Sequence, residues 1–470
     1  MTSPNSLGRI VSRCLWLVPL LLAGCSGTRV RVGDGVVEAP LQEVTGVDTA
    51  AVARAKDKPA VGLWDAYAFA VERTERLAVE YEDVEQSRAH AEEAIGSYLP
   101  QVSLKGSKGY QQSVPGVAPP VQTVFLNVHQ PLITGLNEVA ALKGASHERW
   151  MRISLLRHDA GRLLLDVARA YYTVIQTQES LRTELSTQEI TKKMLAQERV
   201  FRDQGRIRQS DLLSTEAQLA QGDAVVSTLQ DQLVQARENL ANLTGMEPDR
   251  ELALDDPAGF PEYQGTLEDA VHKSGIRWDV RASYEAYQMA KDQLLAAEGS
   301  RLPSLAADGD YYLDRTGGSN PGKWDAMLSV QIPIFNLAGL EGKAREYQSK
   351  KRQAALALTQ ALRSAKEEIR EAFQAYQNSL KEDEAYQKAL TATQKSHDAM
   401  EQDYSHHLMN IVDYLKSVSD LEQAELARAR SRTQWRIQRV WLGVATGEFP
   451  VTHALPSGEA TPAVSPEVKP

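Results

Sequence analysis

The sequence predicts a mainly α-helical chain with four β-strands, built as two copies of one helix–β-hairpin–helix unit. Three observations predict it. Short motifs recur at a near-constant offset, the apolar period within each copy switches from helical to two and back, and each copy holds a proline-free helical stretch far longer than a globular helix.

The duplication is read from matched residues. Ser97-Tyr98-Leu99-Pro100-Gln101-Val102 recurs as Ser300-Arg301-Leu302-Pro303-Ser304-Leu305, an offset of 203. Pro131 and Pro333, Thr134 and Asn336, Asp211 and Asp413, and Gly245 and Gly447 are each 202 apart. Solenoid repeats are far shorter than this. The 470-residue chain divides into a targeting segment (1–24), an extended tether (25–60), a first repeat (61–247), a connector (248–265), a second repeat (266–447) and a tail (448–470) of disordered composition.

Taken in order, Leu63 to Ile95 is rich in Ala, Glu and Arg and reads as helix, with Ala270 to Ala297 as its counterpart. After Leu99-Pro100 the period drops to two. Val124, Leu126 and Val128 alternate with Phe125, Asn127 and His129, and Ala326, Leu328, Val330 and Ile332 alternate with Met327, Ser329 and Gln331. The outgoing strands start at Val102 and Leu305, with turns at 114–120 and 316–322. Pro131 and Pro333 are expected to end the return strands, since proline cannot donate to a ladder. Thr134 and Asn336 are suitable N-caps. Helical pattern then runs to Asp203 in the first copy and to Tyr404 in the second, about 65 residues or on the order of 100 Å. Turns at Gly205–Ser210 and His406–Asn410 lead into return helices Asp211–Leu243 and Asp413–Val444.

The N-terminus reads as an export signal. Arg9 and Arg13 precede an apolar run ending in Leu22-Ala23-Gly24-Cys25. The last four residues resemble the lipobox of bacterial lipoproteins, which implies cleavage and a lipid on Cys25. Ser26, in place of aspartate, implies sorting to the outer membrane by the same resemblance. The mature chain then keeps Cys25 alone, so no intrachain disulfide forms. The net charge is −10. Without the two arginines of residues 1–24 it becomes −10 − 2 = −12, which argues against nucleic acid as a partner.

Roughly ten residues of alternating faces suit a tilted strand crossing an outer membrane. Four strands cannot close a barrel, and open edges are forbidden in lipid. The barrel must therefore be shared among several chains.

Residues 60–447 resemble the outer membrane efflux protein family, the TolC-like export channels. The resemblance rests on the duplication, the Leu-Pro before each hairpin, the exits Gln130-Pro131-Leu132 and Ile332-Pro333-Ile334, and return helices ending Leu243-Thr244-Gly245 and Ala445-Thr446-Gly447. It implies a homotrimer with a 12-stranded barrel in outer-membrane lipid and a 12-helix periplasmic tunnel. It also implies a tunnel tip that meets a periplasmic adaptor and an inner-membrane transporter. It places the periplasmic gate on Asp413, with Asp211 as its counterpart in the first copy. Lys416 stands where some members carry a second aspartate, suggesting an Asp–Lys pair. The bland alternative is a first-turn acid favoured by the helix dipole. Adaptor docking falls on Gly205, Arg206 and Ile207 at the first tip and on His407, Leu408 and Met409 at the second, where His407 replaces the usual glycine.

His406, His407 and Met409 are soft ligands, but adjacent side chains point apart, so no metal site is expected. No catalytic or phosphate-binding motif occurs, so neither an enzyme nor a cofactor beyond the lipid is expected. The main reading is the channel of a tripartite efflux pump. A type I protein secretion channel of the same family is the first alternative. A periplasmic coiled-coil structural or adaptor lipoprotein is the second.

Overall fold

A computed structural model describes residues 58–109, 122–252, 261–316, 322–334, 337–406 and 408–448, with four isolated positions before residue 58. The signal segment, most of the tether, the hairpin tips, Asn336, His407 and the tail beyond 448 lie outside the described residues.

In the first copy, α1 (Leu63–Arg73) and α2 (Glu75–Gly96) lead into β1 (Gln101–Lys108) and β2 (Gln122–Thr134). Then come α3 (Asn137–Asp203) and α4 (Gln209–Thr244). The second copy repeats the order: α5 (Leu267–His272), a 3-10 turn (Lys273–Ile276), α6 (Trp278–Gly299), β3 (Ser304–Thr316), β4 (Trp324–Gln331), α7 (Leu337–Ser405) and α8 (Ile411–Ala445). The long helices α3 and α7 hold 67 and 69 residues, so each extends roughly 100 Å.

Helices this polar are held by packing rather than by propensity. The core sits part-way along α3, where Leu156, Ala160, Leu164, Val167 and Tyr171 are fully buried together with Leu63, Ala66 and Ala70 of α1. A second core joins Ala270, Ile369, Ala372, Tyr376, Leu442 and Ala445 of the second copy. The connector is stitched to the tether's end: Val61 bridges Leu252, and Arg250 Nη2 donates to the carbonyls of Lys56 and Lys58. The two copies lie side by side, with α6 and α8 of the second both packed on α3 of the first.

The strands form one antiparallel sheet in the order β1-β2-β3-β4. Central β2–β3 pairing, such as Asn127 opposite Asp310, joins the hairpins of the two copies.

Three local expectations need correction. Thr134 is not an N-cap; it closes β2 opposite Ser304. Gly135 and Leu136, both left-handed at φ +68° and +66°, turn the chain into α3, so the helix start moves past them. Nor does Pro131 end its strand. β1 pairing stops at His129, β3 pairing continues past it, and an irregularity between Pro131 and Ile133 absorbs the missing donor.

The helix expected over 63–95 breaks at Thr74, whose hydroxyl donates to the Ala70 carbonyl at 2.5 Å; such a bond competes with the helix. At the break, Arg73 Nη1 donates to the Gly245 carbonyl at 2.9 Å. The second copy breaks correspondingly before Arg277, whose Nη1 reaches the Ala445 carbonyl at 3.1 Å. The same guanidinium pairs with Asp279 at 2.9 Å and Glu368 at 2.6 Å. Each copy thus clamps the end of its return helix with one arginine.

Candidate functional site

Two regions carry chemistry suited to a conduit: the sheet and the two helical tips. In the sheet, cross-strand partners share a face, so register sorts the side chains. One face carries Val102, Leu104, Leu126, Val128, Tyr311, Leu328 and Val330, all exposed in the single chain. The other is polar and bonded across strands. Lys105 Nζ donates to Asn127 Oδ1 at 2.8 Å, and Asn127 Nδ2 donates to Asp310 Oδ1 at 2.6 Å. His129 Nδ1 meets Asp308 Oδ1 at 2.7 Å, and Tyr312 donates to Asp325 at 3.0 Å. A polar network on one side and bare hydrocarbon on the other suit a sheet between water and lipid.

At the first tip, α3 ends in a Schellman turn. Gly205 N donates to Arg202 O at 2.8 Å and Arg206 N to Phe201 O at 2.9 Å. Gly205 takes φ +70°, which suits the residue without a Cβ. Arg206 is exposed, with its guanidinium 4.7 Å from the Phe201 ring centre. Ile207 is only half-exposed. At the second tip Leu408 N donates to Asp403 O at 2.9 Å, and Leu408 is 77% exposed. Met409 packs partly inward against Ile411, Tyr414, Leu415, Val418 and Met194.

Asp211 and Asp413 occupy the third position of α4 and α8, and their surroundings differ. Asp413 is exposed and capped: its N–H donates to Asn410 Oδ1 at 2.8 Å, while its carboxylate accepts Asn410 Nδ2 at 2.7 Å. Asp211 is half-buried and accepts Ser210 Oγ at 3.2 Å. Among the described residues Asn410 holds the Asp413 carboxylate, and Lys416 is exposed. No sequence expectation covered this cap, although an asparagine three residues ahead of Asp413 is itself a capping signal. Among the described residues no group of His, Cys, Asp and Glu is arranged to hold a metal ion.

Above the tips lie buried acids that no sequence signal marks. Glu198 of α3 is fully buried and accepts Thr215 Oγ1 at 2.9 Å. Burial raises its pKa against that hydrogen bond, with Asp211 and Glu216 adding to the rise. Glu422 of α8 faces Glu184 of α3. Burial, then the hydrogen bond and charge of Glu184, push it from 4.5 to about 8. A carboxyl raised on folding holds its proton longer in the folded state. Its contribution is therefore fully present below the ordinary value and is lost as pH rises through about 8. Thermal melts should show the wild type losing stability between about pH 4.5 and 8, and Glu422→Gln flattening that slope. An unchanged slope in the variant would contradict the assignment.

The profile described as "Outer membrane efflux protein" matches residues 69–246 and 277–448, one block in each copy. The chain belongs to the outer membrane efflux protein family. It is an outer-membrane efflux channel of that family, not an enzyme. It is 25% identical over 379 residues to the outer membrane protein TolC of Escherichia coli strain K12, covering 76% of each chain. Among solved structures it resembles the outer membrane protein VceC of Vibrio cholerae with a TM-score of 0.70 at 16% identity, covering 82% of this chain and 96% of that one. The open state of the MtrE outer membrane channel of Neisseria gonorrhoeae matches with a TM-score of 0.66 at 20% identity, covering 82% and 88%. These likenesses agree with the four-stranded, long-helix fold described above.

Proposed function

We propose that three copies of this chain form one conduit, anchored by a lipid on Cys25, that passively conducts substrates delivered by an inner-membrane transporter through a periplasmic adaptor. The observation that carries this reading is the open four-stranded sheet with one apolar and one polar face. Two copies would give eight strands, a barrel filled by its own side chains; three give twelve and leave a lumen. Because the strands alternate in direction, β4 meets the next chain's β1 antiparallel, and every edge is closed. The helices argue likewise. α3 is flanked by α6 and α8 of the following repeat, whereas among the described residues α7 has no such flanking pair. A neighbouring chain supplies it.

At the tips, three Asp413 carboxylates converge on the aperture as a ring that attracts cations and repels anions, with Asp211 and Lys416 modulating it. Gly205, Arg206, Ile207, His407, Leu408 and Met409 form the adaptor-docking surface, led by the exposed Leu408. Single-channel recordings in planar bilayers should show cation-preferring conductance, enlarged by Asp413→Ala. A protein without conductance would contradict the channel reading, and an unaltered Asp413→Ala current would return that residue to a capping role alone.

A further inference from the structure

We infer that the two tips of each chain are docking surfaces of opposite charge, and that the first seats a carboxylate-bearing segment of the periplasmic partner. This rests on the reading that a periplasmic partner docks at the tips. At the first tip Arg199 pairs with Glu216 and Arg202 with Asp203. Arg206 and Arg208 are exposed, and neither has an ion-pair partner among the described residues. Arg206 is held by its stack on Phe201, so an incoming carboxylate meets a positive charge already in place at the surface. Arg208 is the N-cap of α4 and supplies no side-chain cap, so the positive end of that helix adds to the field.

The second tip shares with the first an aspartate in the first turn of its return helix, but it has no arginines to offset its acids. Asn410 caps α8 and the Asp413 carboxylate occupies its first turn. Glu401 and Asp403 are exposed nearby, and no arginine stands between 401 and 413. An anionic segment is received at one tip and repelled at the other. An assembled ring would alternate the two, so one kind of partner subunit could fix its register by charge. Interleaved acidic tips also disfavour an anionic membrane surface as the occupant.

The test is export by a deletion strain complemented with variants, read as resistance to a panel of toxic dyes and detergents. Trimer assembly and conductance of each purified variant serve as controls. R206E/R208E should lower resistance about tenfold or more, since both positions recur in every chain, while assembly and conductance are kept. R206K/R208K, which retains the charge, should stay within about twofold of wild type. Wild-type resistance in R206E/R208E would overturn the inference, as would a lysine variant as impaired as the glutamate one. Cosedimentation of the purified channel with phosphatidylethanolamine–phosphatidylglycerol vesicles, lost in R206E/R208E, would overturn it in favour of a membrane surface. If wild type itself restores no resistance, the partner-docking reading falls, and this inference with it.

Discussion

Gly135→Ala is expected to cost roughly 3 kcal/mol, about 1–2 from a left-handed backbone and the rest from overpacking. Gly135 has φ +68°, and a methyl carbon there would lie far inside van der Waals contact distance of the Gly299 carbonyl oxygen. A methyl on Gly299 would likewise strike the Gly135 carbonyl. The two glycines belong to different copies: one leads β2 into α3, the other ends α6. Their contact brings the repeats together beside the sheet, where the central β2–β3 pairing is made. No flexible side chain can yield there, because the obstacle is backbone on both sides. Heat or urea titration of the purified protein checks this. Gly299→Ala should also destabilise, by about 1–3 kcal/mol, because its backbone is right-handed and only the close approach is lost. Stability of Gly135→Ala equal to wild type would mean that the junction is looser than described.

Leu328→Arg carries the second large effect. Leu328 lies midway along β4, 64% exposed, on the apolar face. If that face meets lipid, an arginine near the bilayer midplane costs roughly 2–4 kcal/mol per chain. Assembly into outer membranes should fall sharply. Ser329→Arg reverses the test one residue away. Ser329 sits on the polar face, opposite Ala306, and an arginine there should assemble normally while altering ion selectivity. Equal outcomes for the two variants would mean that the sheet has no lipid side.

Much of this architecture was legible because it depends on period. Strands at period two, proline-free helical runs and turn residues at matched offsets located both hairpins and both tips within a few positions. Gly205 in particular is a local signal, a residue suited to the left-handed turn that ends α3. The breaks at Thr74 and Arg277 were not legible. Neither is a helix-breaking residue; each break is stabilised by an arginine reaching the end of a helix far along the chain. The continuation of β2 past Pro131 was hidden for a similar reason, since it depends on β3 of the other copy. The Glu184–Glu422 pair joins α3 to α8. On a polar helix, each acid alone looks like one more solvated charge. Within the tips, the sequence placed the turns but not the unequal capping of α4 and α8. That inequality rests on the Asn410 side chain, which binds Asp413 at both its backbone and its carboxylate.

If three chains close one barrel, β4 of each lies against β1 of the next. Cysteine cross-linking tests it most directly. Ser103→Cys on β1 is combined with a second cysteine stepped along the same face of β4, at Asp325, Met327 or Ser329. Cells carrying each pair are then oxidised. In at least one pairing, denaturing gels should show a covalent ladder of dimer and trimer that stops at three, while each single-cysteine variant yields no trimer. A ladder that stops at two, one that runs past three, or no cross-link at any pairing would contradict the account.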